Sequence, residues 1–127
     1  VFDVAALAGL TAEQITVKLG KPVSDAQESD NEQMKSVLYQ RGGYKLSIDY
    51  EVQSRRLLDI YFTPVKSWQK YWSLLSAANV KLNDKRYKVE PLNEENGLYA
   101  GIAITPADAR VLDRFGKYVP GKQAQED

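Results

Sequence analysis

Three features of the sequence predict an α+β fold in which an antiparallel sheet, a three-strand meander plus a hairpin, packs against two to three helices. Tyr44, Leu46, Ile48, Tyr50 and Val52 alternate with Lys45, Ser47, Asp49 and Glu51. That is the period-two pattern of a strand with one buried face and one wet face. Gly42-Gly43 precedes it and supplies the positive backbone angles of a tight turn. Downstream, Val65, Trp68, Trp72 and Leu75 recur at helical spacing. The predicted order is α-β-β-β-α-β-β-α, in a single domain over residues 1–127.

Taken in order, Phe2 to Gly9 is apolar and small, suited to a short helical turn or a docking segment. Thr11-Ala12-Glu13-Gln14 opens a helix through a capping box, with Leu10 and Ile15 placed for a hydrophobic staple. Ala12, Ile15 and Leu19 share one face, and Gly20 and Pro22 end the helix. Ser24 to Gln33 reads as a polar, acidic connector. Val37 to Arg41, Tyr44 to Val52 and Leu57 to Thr63 form the meander. Thr63-Pro64 then has the cap-then-proline pattern of a helix start, so residues 65–78 are expected to be the main core helix, with Asn79 at its C-cap. Val80–Leu82 and Arg86–Leu92 are expected strand pieces around a turn at Asn83-Asp84-Lys85, with Pro91 confining the second to an edge or to its own end. Asn93 to Gly97 is a hairpin loop, and Leu98 to Ile104 returns as a strand. Thr105-Pro106 predicts a third helix carrying Ala107, Val111 and Phe115 on one side and ending at Gly116. Residues 117–127 read as a frayed tail.

Composition narrows the chemistry. Seventeen Lys and Arg balance seventeen Asp and Glu, so no global field recruits nucleic acid or an anionic membrane. The middle of the chain is mildly basic, which suits solvated strand faces and Lys-guarded edges. Cys and His are both absent. Thiol chemistry, imidazole bases and zinc sites built on Cys or His are thereby excluded. No apolar run approaches the roughly twenty residues of a membrane span. The chain begins at Val1 rather than Met, which leaves room for a targeting segment upstream.

Several motifs are apparent only. Ser67-Trp68-Gln69-Lys70 and Ser29-Asp30-Asn31 spell two elements of the serine β-lactamases, but in reversed order and without the third. Residues 116–122 mimic a phosphate loop, yet Gln123 stands where Ser or Thr must hold magnesium, and no helix follows. Asp25, Glu28, Asp30 and Glu32 lack the spacing of a calcium loop. Asp49 and Glu51, with Asp59 across the pairing, invite acid–base or metal chemistry, but alternation puts them on the wet face, where solubilising charge is the simpler account. No catalytic residue, metal ligand or cofactor is assigned.

The aromatic content is more suggestive. Tyr44, Tyr50, Trp68, Trp72 and Phe115 read as core from their periodicity. Tyr39, Tyr61, Tyr87 and Tyr99 fit two roles equally: contact residues for another protein, or rim tyrosines with their hydroxyls in water. With Arg55 and Arg56 they make up the candidate binding set.

The runs LAGLTAEQITVKLGKP (7–22), VLYQRGGYKLSIDY (37–50) and LLDIYF (57–62) resemble the small bacterial lipoproteins of the outer-membrane β-barrel assembly machinery, of the SmpA/OmlA type. They also resemble the β-lactamase-inhibitor proteins that share the helix-then-meander layout. The likeness rests on Gly9-Leu10-Thr11, Val17, Leu19-Gly20-Lys21-Pro22 and the tyrosine-bearing hairpin, and spans roughly residues 5–63. It implies an extracytoplasmic protein that binds other proteins through its sheet and loops without catalysis. Two departures stand out: the chain has no Cys to carry a lipid, which would have to lie upstream, and residues 64–127 add a helix–hairpin–helix that the small lipoproteins lack.

The leading expectation is a non-enzymatic protein-binding module of a bacterial envelope or secreted protein. One alternative is a small-ligand cleft of cystatin-like shape, with possible catalysis, between the sheet and helix 65–78. A weaker one is nucleic-acid binding by Arg55, Arg56, Lys85, Arg86 and Lys88 beside Tyr61 and Tyr87.

Overall fold

Thr11 opens the first helix as its sequence predicts. In the structure, a computed structural model that describes residues 2–28, 34–107, 110–112 and 118–120, its hydroxyl accepts from the Gln14 amide and the Gln14 side chain accepts from the Thr11 amide. Helix α1, Ala12–Leu19, follows and stops at Gly20. Ahead of it a 3₁₀ turn, Val4–Ala6, buries Phe2, Val4 and Leu7.

The meander forms as expected. Strands β2 (Met34–Arg41), β3 (Tyr44–Glu51) and β4 (Leu57–Pro64) pair antiparallel in sequence. The β2–β3 turn is Gly42-Gly43, with φ of 57° and 86°, as a two-residue hairpin turn with both central residues at positive φ requires. Strands β5 (Tyr87–Glu95) and β6 (Leu98–Pro106) form the second hairpin. It turns at Asn96-Gly97, and Pro91 sits on the outermost strand, where its missing N–H breaks no inner ladder. Antiparallel pairing of β4 with β6 joins the two units. The sheet has six strands in the order β1-β2-β3-β4-β6-β5.

Five expectations are corrected. Residues 24–33 were expected to be a connector, but Ser24–Glu28 forms edge strand β1 on β2. A polar sequence suffices at an edge, because backbone hydrogen bonds to the neighbouring strand hold it there. Residues 29–33 lie outside the described residues.

The core helix expected over 65–78 is only Tyr71–Ala78, α2. The Val65 amide donates to the Gly43 carbonyl, and Gln69 and Tyr99 exchange two backbone hydrogen bonds of 3.1 and 2.7 Å. Those bonds keep residues 65–70 out of the helix. Tyr71, Leu74, Leu75 and Ala78 make the real apolar stripe, and Leu74 and Ala78 are fully buried. Trp68 and Trp72 are therefore not core: they are 39 % and 68 % exposed. Asn79 caps α2 in the left-handed conformation, as expected.

The third helix is absent where Ala107 and Val111 were to build it. Pro106 ends β6, and Arg110–Leu112 (β7) pairs with Tyr118–Pro120 (β8) in a separate two-stranded sheet. Phe115 and Gly116 lie outside the described residues, as do Lys117 and residues 121–127 of the expected tail. The two misread helix starts have one cause. Thr63-Pro64 and Thr105-Pro106 both end strands, because a proline that cannot donate stops a ladder as readily as it begins a helix. Val80–Leu82, finally, is not a strand but the approach to the turn before β5.

One sheet face carries the core. Leu46, Ile48, Ile60, Phe62, Ile102 and Ile104 line it, covered by Val4, Leu7, Ile15, Leu74 and Ala78. Tyr44 stacks on Phe62 at 4.6 Å between ring centroids, and Phe2 meets Phe62 edge-on at 6.5 Å. The opposite face carries Ser36, Asp49, Asp59 and Tyr61.

Candidate functional site

Of the candidate binding residues, Tyr39 and Tyr87 are corrected to core. They are 2 % and 5 % exposed. The Tyr39 hydroxyl donates to the Gly20 carbonyl at 3.1 Å, and the Lys81 amide donates to the Tyr87 hydroxyl at 2.9 Å. Both fall on the sheet face that packs under the helices, so their phenols serve backbone groups rather than a partner. Tyr61 is half-buried on the opposite face, and Tyr99 is half-buried against Tyr71 at 5.5 Å. The four tyrosines do not converge on one surface.

The arginines have structural duties. Arg55 sits at φ 64° in the turn between β3 and β4, its guanidinium 4.7 Å from the Tyr50 ring centroid and paired with Glu13. Its carbonyl accepts from the Ala12 amide at 3.0 Å, so Arg55 fastens α1 to the meander. The hydrogen bond from Arg55 holds the Glu13 carboxyl below its ordinary range. Arg56 is exposed and lines a shallow cavity of about 160 Å³ with Gly9, Leu10, Thr11, Leu57 and Pro106. That cavity lies at the start of α1. On α2, within the span of the helix expected to border a cleft, Leu74 and Ala78 are fully buried. Among the other basic residues, Arg86 is paired with Asp84 and Lys88 with Glu90 at 3.1 Å. The Arg86 side chain keeps the Asp84 carboxyl down at about 2.

The carboxylates of β3 lie opposite the core, as alternation requires, but they are not on a wet face. Asp49 is buried and Glu51 is only 4 % exposed. Asp49 stands on a central strand between Ser36 of β2 and Asp59 of β4, each directly across from it. Ser36 donates its hydroxyl proton to Asp49 Oδ1. At Glu51 the β3–β4 turn folds back over the strand end, with backbone bonds between Glu51 and Arg55 and between Glu51 and Arg56. Leu58 is inserted as a bulge, where the pairing steps from Asp49↔Asp59 to Tyr50↔Leu57. Burial, then the hydrogen bond and the charge of Asp49, push the Asp59 carboxyl up to about 8. Burial and Asp59 likewise raise the Tyr61 phenol. Among the described residues, no group of three or more potential ligands is arranged to hold a metal ion.

The feature that sequence reasoning missed is the exposure of large apolar side chains close in sequence to one backbone junction. The Gln69–Tyr99 bridge ties the segment before α2 to the β5–β6 hairpin, and the Tyr44 hydroxyl donates to Gln69 Oε1 at 3.0 Å. Around this junction Val65, Trp68, Trp72 and Leu98 are all exposed. Lys66 and Lys70 are exposed beside them and make no ion pair among the described residues. The available signal was the second stripe, Tyr71-Leu74-Leu75-Ala78, which takes the helix face that Trp72 would otherwise occupy. No helix among the described residues is long and apolar enough to cross a membrane.

Compared with protein-family models, with curated proteins and with solved structures, the chain matches none.

Proposed function

We propose that the chain is a non-enzymatic protein-binding module that meets its partner through the exposed Trp68, Trp72, Val65 and Leu98. The observation that carries this reading is the exposure of both tryptophans, where Phe2, Tyr39, Tyr50, Phe62 and Tyr87 are all buried. Exposed tryptophan is costly in water and is enriched among the residues that dominate protein interfaces. Lys66 and Lys70 at the rim favour a partner surface with acidic residues, since charge complementarity guides encounter. A nucleic-acid partner is less well supported, because Arg55, Arg86 and Lys88 already serve carboxylates of this chain. The resemblance to envelope lipoproteins and inhibitor proteins supports an extracytoplasmic, bacterial setting for the module.

The test is site-specific photo-cross-linking in the native host, with the reactive group at position 72 and, as control, at the exposed Lys18. A discrete adduct from position 72 alone supports the reading. No adduct, or equal adducts from both positions, overturns it. Fractionation of the same cells checks the envelope placement, which recovery in the cytosol would end. The small cavity beside Arg56 favours a second reading, a small anionic ligand. Thermal-shift screening against carboxylates and phosphates decides that one, since a ligand bound only by the folded chain raises its melting temperature.

A further inference from the structure

We propose that Asp49 and Asp59 form a proton-binding pair across the two central strands, which holds one proton in the folded chain and makes the β3–β4 pairing tighter in acid than in mildly alkaline solution. The geometry is that of two carboxyl groups in direct cross-strand register. Directly opposed side chains in an antiparallel pair have Cβ atoms about 5 Å apart, and two ionised carboxylates at that range repel strongly when shielded from water. Among the described residues, no ion pair to Asp49 or Asp59 forms. On β2, Ser36 gives its hydroxyl to Asp49. On β4, Tyr61 follows Asp59 on the same face, with a neutral phenol. On β3, the adjacent ionisable residue on the face is Glu51, itself an acid, while the exposed Lys45 lies four residues away along the strand. Continuing the β4–β6 register puts Thr105 beside Asp59. The next residue in that row, Lys88 on β5, is two strands away and paired with Glu90. Asp59 Oδ1 is buried without a hydrogen-bond partner among the described residues. A proton on Asp59, shared towards Asp49, removes the repulsion and turns the contact into a hydrogen bond.

The raised Asp59 carboxyl, at about 8, agrees with this arrangement and sets the sign. An unfolded chain releases that proton near the ordinary aspartate value of about 4. Between those limits the folded state binds one proton more than the unfolded state, so stability falls as pH rises. The contribution is fully present below about 4, declines between about 4 and 8, and is gone above. One proton changes the folding equilibrium constant by up to about tenfold per pH unit in that window.

Two measurements test the pair. Carbon-13 NMR of aspartate side chains in the wild-type chain should show one carboxyl titrating near 8, and Asp59→Asn should remove that signal. Denaturant unfolding from pH 5 to 8 should show wild-type stability losing a component that Asp59→Asn lacks. The variant should therefore gain on the wild type by roughly tenfold per unit as pH rises. In Asp49→Asn the Asp59 carboxyl should titrate lower than in the wild type, with its charged neighbour gone, yet above the ordinary value because burial persists. Aspartates that all titrate in the ordinary range, or identical pH profiles for wild type and Asp59→Asn, overturn the proposal. The wild-type titration alone decides the matter if a variant does not fold.

Discussion

Gly101 lies so close to β4 that a Cβ there would fall 2.6 Å from the Phe62 carbonyl oxygen and 2.6 Å from the Thr63 methyl. The carbonyl belongs to the backbone of the central sheet and has little room to yield. Gly101→Ala should therefore destabilise the fold by about 3 kcal/mol, the upper range for overpacking, as read from denaturant unfolding. A change below about 1 kcal/mol would mean that β4 and β6 can separate at this point. At the other end of the chain, the Thr11 hydroxyl satisfies the Gln14 amide at the start of α1. Thr11→Ala should cost about 1 kcal/mol, typical for an N-cap. Only the Thr11 effect could have been anticipated from sequence. The capping box is a local pattern, whereas the crowding at Gly101 arises between strands some forty residues apart.

At the scale of elements, α2 shows how a helix with two apolar stripes chooses between them. The tryptophan stripe is larger, but it needs residues 65–70 to be helical, and their backbone bonds go to Gly43 and Tyr99 instead. The shorter helix then buries Leu74 and Ala78. Leu74→Ala should cost about 3 kcal/mol, as buried leucines do. Trp72→Ala should stay within about 0.5 kcal/mol, as exposed positions do. Urea unfolding of the two variants checks both figures, and a large loss from Trp72→Ala would return that ring to the core. The meander was legible because strict alternation, a Gly-Gly turn and a capped helix each act within a few residues. The edge strand β1 was not, since a polar strand is defined by the neighbour it bonds to. The carboxylate row was legible in part: alternation put Asp49 opposite the core with Asp59 across from it, but gave no measure of how far neighbouring strands bury them.

For the whole molecule, charge is balanced in sum, and part of the basic middle is neutralised in place. Seventeen basic and seventeen acidic residues cancel, and Arg55, Arg86 and Lys88 are each engaged by a carboxylate. Binding to single-stranded DNA should accordingly be weaker than about 100 µM at physiological salt, the weak end of non-specific affinity. A fluorescence-anisotropy titration across salt concentrations checks this. Micromolar binding with a steep salt slope would restore the basic middle segment as a nucleic-acid surface.

What the sequence by itself determined is the antiparallel meander, the β5–β6 hairpin and the capped first helix. These follow from side-chain periodicity and turn chemistry, which act over a few residues at a time. The tertiary structure alone decided that both Thr-Pro pairs end strands, that the tryptophans face outward, and that Asp49 and Asp59 share a shielded sheet face. Those outcomes depend on which distant backbone accepts each amide and on which side chains a neighbouring strand brings alongside. Local pattern carries no record of either.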